Sequence, residues 1–284
     1  MASVQNSLLA GFPNRTLHQI AETAMRDRRF VDAFDAIMHI AHVEEGDSSA
    51  LQPAEILCKF SKRFAQIGQV DAAQLIAQKI FNECFRSEAL SVVSLAYMRY
   101  GNDNEQVERA LALAAQIPGI IQRRETLEAC ATLLIERVSR QIPRDFHALE
   151  QNLQLLDRAR GIAQLLPPLV RRSIITQIAC DYVRLASSIA ENIAERASHI
   201  ARAIEMAYNA GVACDDFYRQ AFAKQRKLDL ACQASSLISD PVVKEEFSKT
   251  LALALALRGN RNEAIVIARR IQDAAIRERL LATL

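Results

Sequence analysis

Apolar and small residues recur along the chain in a fixed order. A small residue is followed four positions later by a second one, three positions on by Ile or Leu, and, after a short break, by a cation. Ala73, Ala77, Ile80 and Arg86 form the clearest copy. Four further copies are Ala110, Ala114, Ile117, Arg123; Ala159, Ala163, Leu166, Arg172; Ala231, Ser235, Ile238, Lys244; and Ala264, Ala268, Ile271, Arg277. Weaker copies start at Ala33 and Ala197; both lack the cation, and the first has Ile37 at the second small position. Successive starts lie roughly 33 to 49 residues apart, close to the range of helical-hairpin repeats.

Residues at i and i+4 share one helix face. Small ones let a neighbouring helix approach closely, and the Ile or Leu that follows fills the groove between ridges. Turn chemistry stands in the break: Pro118-Gly119, Pro167-Pro168 and Asp240-Pro241. The other helix of each pair closes on Gly68, Gly101 or Gly259, residues suited to the left-handed position past a helix end. Asn102, Asp103, Asn104, Asn260 and Asn262 then offer N-cap oxygens, and Thr16 with Gln19 reads as a capping box opening the first helix. The pattern predicts an all-α solenoid of about seven antiparallel helical hairpins. Residues 1–13, ending in Gly11-Phe12-Pro13, are expected to be a loose tail, and 14–284 a single helical-repeat domain. The irregular stretches 44–53, 140–147 and 209–216 are too short for domain linkers.

The run Leu255-Ala256-Leu257-Arg258-Gly259-Asn260-Arg261-Asn262-Glu263-Ala264-Ile265 resembles the core of a tetratricopeptide repeat, with an Ala five positions after the Gly. Gly68 with Ala73 keeps that spacing, and Gly101 with Ala110 needs an insertion. The copies are divergent, carrying the small Ala77 and Ala268 where the family has a larger residue. The resemblance implies a right-handed superhelix whose concave groove binds peptides or helices of partner proteins.

Composition supports the helical reading. Half of the residues are apolar, while Gly and Pro number only eight and seven among 284, which leaves the chain to strong helix formers. The formal net charge of +2 argues against a dedicated nucleic-acid or membrane-surface binder. Cys58, Cys84, Cys130, Cys180, Cys214 and Cys232 are dispersed, with no CxxC pair, and read as small buried hydrophobes in a reducing compartment. No secretory n-region opens the sequence, and its longest apolar run, Leu251 to Leu257, is too short for a bilayer. A soluble, cytoplasmic protein is expected; a leaderless secreted one would carry the same features.

Candidate chemistry is sparse. Placed on equivalent turns, Arg86, Arg123, Arg172, Lys244 and Arg277 form a ladder with two readings. They can clamp acidic side chains or phosphates of a partner, or bind the last carbonyls of the preceding helix. Arg28-Arg29, Arg123-Arg124, Arg171-Arg172 and Arg269-Arg270 are basic pairs, three of them with acidic neighbours, as on a solvated helix surface. Ile276, Leu280, Leu281 and Leu284 make an apolar strip on the last helix, placed for self-association or a partner. Asp35, His39 and His42 share the i, i+4, i+7 face of a helix, but lack a fourth metal ligand and read as solvated. The acidic pairs Glu44-Glu45 and Asp215-Asp216 lack the opposed geometry that acid–base work needs. There is no P-loop, GxGxxG, HExxH or GxSxG, so no catalytic residue, cofactor or metal is nominated and no enzyme is expected. The expected function is a protein-interaction scaffold or adaptor. The alternative, a helical-repeat protein reading single-stranded RNA one base per repeat, is disfavoured by the near-neutral charge.

Overall fold

The computed structural model describes residues 9, 12–40, 52–101, 104–141, 143, 146–188, 193–223 and 227–284. Among these residues the fold is all-α, with fifteen α-helices, one π-helical turn and no strand. The first seven helices are α1 (Asn14–Arg26), α2 (Phe30–Ile40), α3 (Pro53–Gln66), α4 (Val70–Gln78), α5 (Glu83–Tyr100), α6 (Asn104–Ala115) and α7 (Ile120–Arg140). They are followed by α8 (Phe146–Gln164), α9 (Pro168–Ser188), α10 (Ile193–Asn209) and α11 (Cys214–Tyr218), which runs into the π-helical turn Arg219–Ala223. The last are α12 (Leu228–Leu237), α13 (Pro241–Leu257), α14 (Arg261–Arg269) and α15 (Ala274–Thr283). No helix among the described residues is long and apolar enough to cross a membrane.

Each even-numbered helix from α2 to α14 carries one copy of the repeat. Ala73, Ala77, Ala110, Ala114, Ala159, Ala163, Ala264 and Ala268 are wholly buried, as are Ala33 and Ile37 of the first weak copy. Ile80, Ile117, Leu166, Ile238 and Ile271 are buried behind them. The small residues therefore serve close helix approach, and the larger one fills the space beyond.

The chain forms two compact units, Met1–Cys130 and Ala131–Leu284, with the division inside α7. In the first unit α1 packs on α2, α3 on α4 and α5 on α6, while α2 meets α3 and α4, and α3 meets α5. Phe60 and Phe64 are buried there, with Phe30 and Phe34 edge-on to Phe64. Buried serines tie the pairs together: Ser61 Oγ donates to the Ala73 carbonyl at 2.9 Å, and Ser94 Oγ to the Ala110 carbonyl at 2.7 Å. Both acceptors are first residues of a repeat copy. In the second unit α9 packs on α8 and α10, α10 on α12, α11 on α13, α13 on α14 and α14 on α15. Its aromatic core joins Phe217, Tyr218, Phe222 and Phe247.

Three of the turns within hairpins are built alike. Gly68 and Gly259 take φ of 82° and 85°, and at the matching place after α1 stands Arg28 with φ 60°. Behind each, the next N–H bonds back to the odd helix: Arg29 to the Ala24 carbonyl, Gln69 to Phe64 and Asn260 to Leu255. Gly101 departs from the expected left-handed state, with φ −71°. A Cβ there would collide with the Tyr97 carbonyl oxygen and with Gln106, so this glycine serves close approach instead.

Helix starts also differ from expectation. α1 begins at Asn14, after Pro13 (φ −59°), and Thr16 lies inside it, so Thr16 and Gln19 form no capping box. Proline presets the helical φ and carries no N–H to satisfy, which moves the start upstream. Asn260 makes no cap bond, while Asn104 and Asn262 are helical; Asn102 and Asp103 lie outside the described residues. Side-chain caps stand at the other breaks. Asn82 Oδ1 accepts from the N–H of Cys84 at 3.0 Å, Asp240 Oδ1 from Val242 at 2.9 Å and Asp273 Oδ1 from Ile276 at 3.0 Å. Each cap follows the repeat's Ile by two positions. Most of the proposed tail, and residues 44–51 of the first irregular stretch, lie outside the described residues.

Candidate functional site

Several strongly exposed large apolar residues stand at the breaks leading from an even helix to the next odd one; Leu257, at the end of α13, is as exposed. Phe81, Ile120 and Leu169 are 90 %, 75 % and 83 % exposed, and Ile121, Leu165, Leu237 and Val242 are exposed beside them. All fall within a few residues of the repeat's buried Ile or Leu, where the chain reverses and side chains project past the helix ends. The same breaks hold the cations. Residues 116–124 contain Arg123 and Arg124, residues 164–173 contain Arg171 and Arg172, and neither stretch has an acidic residue.

Successive breaks meet within a unit. Ser87 Oγ, near the start of α5, accepts the Gly119 N–H at 3.0 Å, and Thr126 Oγ1 donates to Ser91 Oγ at 2.8 Å. The first turns of α5, at Ser87 and Ser91, thus lie against Gly119 and the start of α7. In the second unit Glu205 of α10 accepts the Asp240 N–H at 3.1 Å, fixing the break before α13.

The ladder cations divide by what they bind. Lys244 Nζ donates to the Ser236 carbonyl at 2.9 Å, and Arg277 Nη1 to the Ile271 carbonyl at 3.0 Å. Both engage carbonyls at the end of the preceding helix, the negative end of its dipole. In the third copy Arg171 does this, with Nη2 3.0 Å from the Leu166 carbonyl oxygen, while Arg172 is exposed. Arg86 and Arg123 are half-buried; among the described residues their side chains make no such bond, and Arg86 Nε is buried without a partner. On the last helix Leu280 is buried, and Ile276, Leu281 and Leu284 are half-buried. Much of that strip is therefore spent within the second unit, where α15 packs on α14.

The remaining polar groups are largely engaged. Asp215 and Asp216 both pair with Arg219. Asp35 and His39 are half-buried on α2, and His42 lies outside the described residues; no group of three metal-ligating side chains occurs among the described ones. Burial pushes the thiols of Cys58, Cys130 and Cys232 up to about 11 and that of Cys214 to about 12. These four are the reverse of activated nucleophiles. Two polar clusters escaped the sequence reading because their members are distant along the chain. Glu22 on α1 meets Lys59 at 2.7 Å and Arg63 at 2.6 Å on α3. Asp181, buried on α9, accepts from Arg184 Nε and Ser139 Oγ, both at 2.9 Å. The sequence matches no protein-family model and no curated protein.

Proposed function

We propose that the chain is a protein-interaction scaffold in which the turn edge of the first unit receives an acidic segment of a partner protein that also carries apolar side chains. One observation carries the reading: in the first unit, exposed Phe81 and Ile120 stand at the breaks before α5 and α7, each near a repeat cation. Apolar anchors beside cations suit a partner with the opposite charge, because burial supplies affinity and charge supplies orientation. The tetratricopeptide-like character of residues 255–265 adds support, since such repeats serve as binding frames. On that resemblance alone the segment would lie in a concave groove; the exposed apolar residues favour the turn edge. Fold alone does not assign function, and the edge residues are what carry the proposal.

The test is affinity capture of the tagged full chain and of a Phe81→Ser/Ile120→Ser variant from native lysate, with and without nuclease. Both residues are exposed, so the variant keeps the fold of the parent. A protein held by the parent after nuclease and lost from the variant supports the scaffold. Capture that collapses with nuclease favours the RNA reading and overturns it.

A further inference from the structure

A cleft of about 360 Å³ opens in the second unit among α12, α13 and the end of α14. Its wall includes Ser236 from α12, Lys244, Glu245 and Ser248 from α13, and Arg270 and Gln272 beyond α14. Lys244 gives one proton to the Ser236 carbonyl and keeps two uncommitted. Arg270 is exposed, and its guanidinium makes no ion pair among the described residues. Glu245 is the one acid in the wall, and it lies 4.0 Å from Lys249, which offsets its charge.

Ser248 also lines the cleft; it is only 8 % exposed as a residue, and its hydroxyl makes no hydrogen bond among the described residues, which leaves it available as a donor. Ser235 and Ser236, on the facing helix, spend theirs on the carbonyls of Cys232 and Gln233.

We propose that this cleft binds a phosphoryl group. Ammonium, guanidinium, hydroxyl and the Gln272 amide offer donors of differing geometry. A tetrahedral group with three acceptor oxygens can engage more of them at once than a planar carboxylate with two. Lys244 and Arg270 match its charge of about −1.5 to −2 at neutral pH. The phosphoryl group belongs to a phosphorylated side chain or to a free phosphate ester; the cleft's chemistry is the same for both. The site stands on its own residues and does not depend on the scaffold reading.

Nitrogen-15 NMR of the full chain tests it with four probes: inorganic phosphate, and the N-acetyl N-methylamides of phosphoserine, serine and glutamate. Saturable shifts are expected at the amides of residues 235, 236, 244, 248 and 270 with phosphoserine, and at least tenfold weaker binding of serine and glutamate. Inorganic phosphate binding as tightly as phosphoserine assigns the site to free phosphate; binding at least threefold weaker assigns it to an esterified side chain. Both results support the cleft. Arg270→Gln, an exposed change that spares the fold, should weaken phosphoserine at least fivefold, and Ser248→Ala about threefold. No saturable shift, glutamate binding as tightly as phosphoserine, or affinity untouched by Arg270→Gln would each overturn the proposal.

Discussion

Arg171 donates from Nη2 to the backbone carbonyl oxygen of Leu166 at 3.0 Å, spanning the proline break between α8 and α9, while its neighbour Arg172 is exposed. A charged donor on a terminal carbonyl contributes about 1 kcal/mol. Arg171→Gln should therefore lower unfolding free energy by about that amount, and Arg172→Gln should leave it within about 0.5 kcal/mol. Arg277→Gln should behave like Arg171→Gln, because Arg277 reaches the Ile271 carbonyl in the same way. Urea titrations of the three variants separate the two neighbouring arginines; equal effects at 171 and 172 would remove the structural role.

Arg28 occupies the left-handed position that Gly68 and Gly259 hold elsewhere. A non-glycine residue there carries about 1–2 kcal/mol of strain, part of which glycine returns as backbone entropy. Arg28→Gly should raise stability by up to about 1 kcal/mol, while Gly68→Ala should lower it by about 1 kcal/mol. Gly101→Ala should cost more, about 2 kcal/mol, because its Cβ meets backbone rather than open space. Thermal melts of the three would order them; a milder effect at Gly101 than at Gly68 contradicts the steric account.

Glu22 should make stability depend on acid pH. Burial raises its pKa, but the hydrogen bonds and charges of Lys59 and Arg63 outweigh this and bring it down to about 2 from an ordinary 4.5. A carboxyl with a depressed folded-state pKa stabilises the fold fully above its unfolded value, and the contribution fades as pH falls through the folded one. The stability difference between the parent and Glu22→Gln should thus be largest near neutrality and shrink between about pH 4.5 and 2. A difference that stays constant across that window would mean the clip between α1 and α3 is not titrating.

Asp181 is buried at the end of a chain of donors, with Arg184 bonded both to it and to the Val138 carbonyl at 2.8 Å. Removing the carboxylate leaves the guanidinium and the Ser139 hydroxyl short of an acceptor in a dry place. Asp181→Ala should cost about 3 kcal/mol. A cycle with Arg184→Met measures the coupling; additive losses would show that the two groups act independently.

The sequence by itself determined the class of the fold and the placing of its repeats. An Ala, a second small residue four positions on (Ile37 takes its place in the first copy) and an Ile or Leu three further mark seven even helices, because close packing favours small side chains at those positions. Breaks at Pro118-Gly119, Pro167-Pro168 and Asp240-Pro241 were legible for the same local reason: proline and cap chemistry act within a few residues. What depends on a partner distant in sequence was not legible. No periodicity separates Arg171 from Arg172, since only the path of the break sets which one reaches Leu166. Arg28 hid a turn that glycine marks elsewhere, because surrounding packing can hold a strained backbone that local preference disfavours. Glu22, Asp181 and Ser248 look ordinary along the chain. Their significance lies in their surroundings and in groups 22 to 42 residues away, such as Lys59, Ser139 and Arg270, and tertiary structure alone brings those into reach.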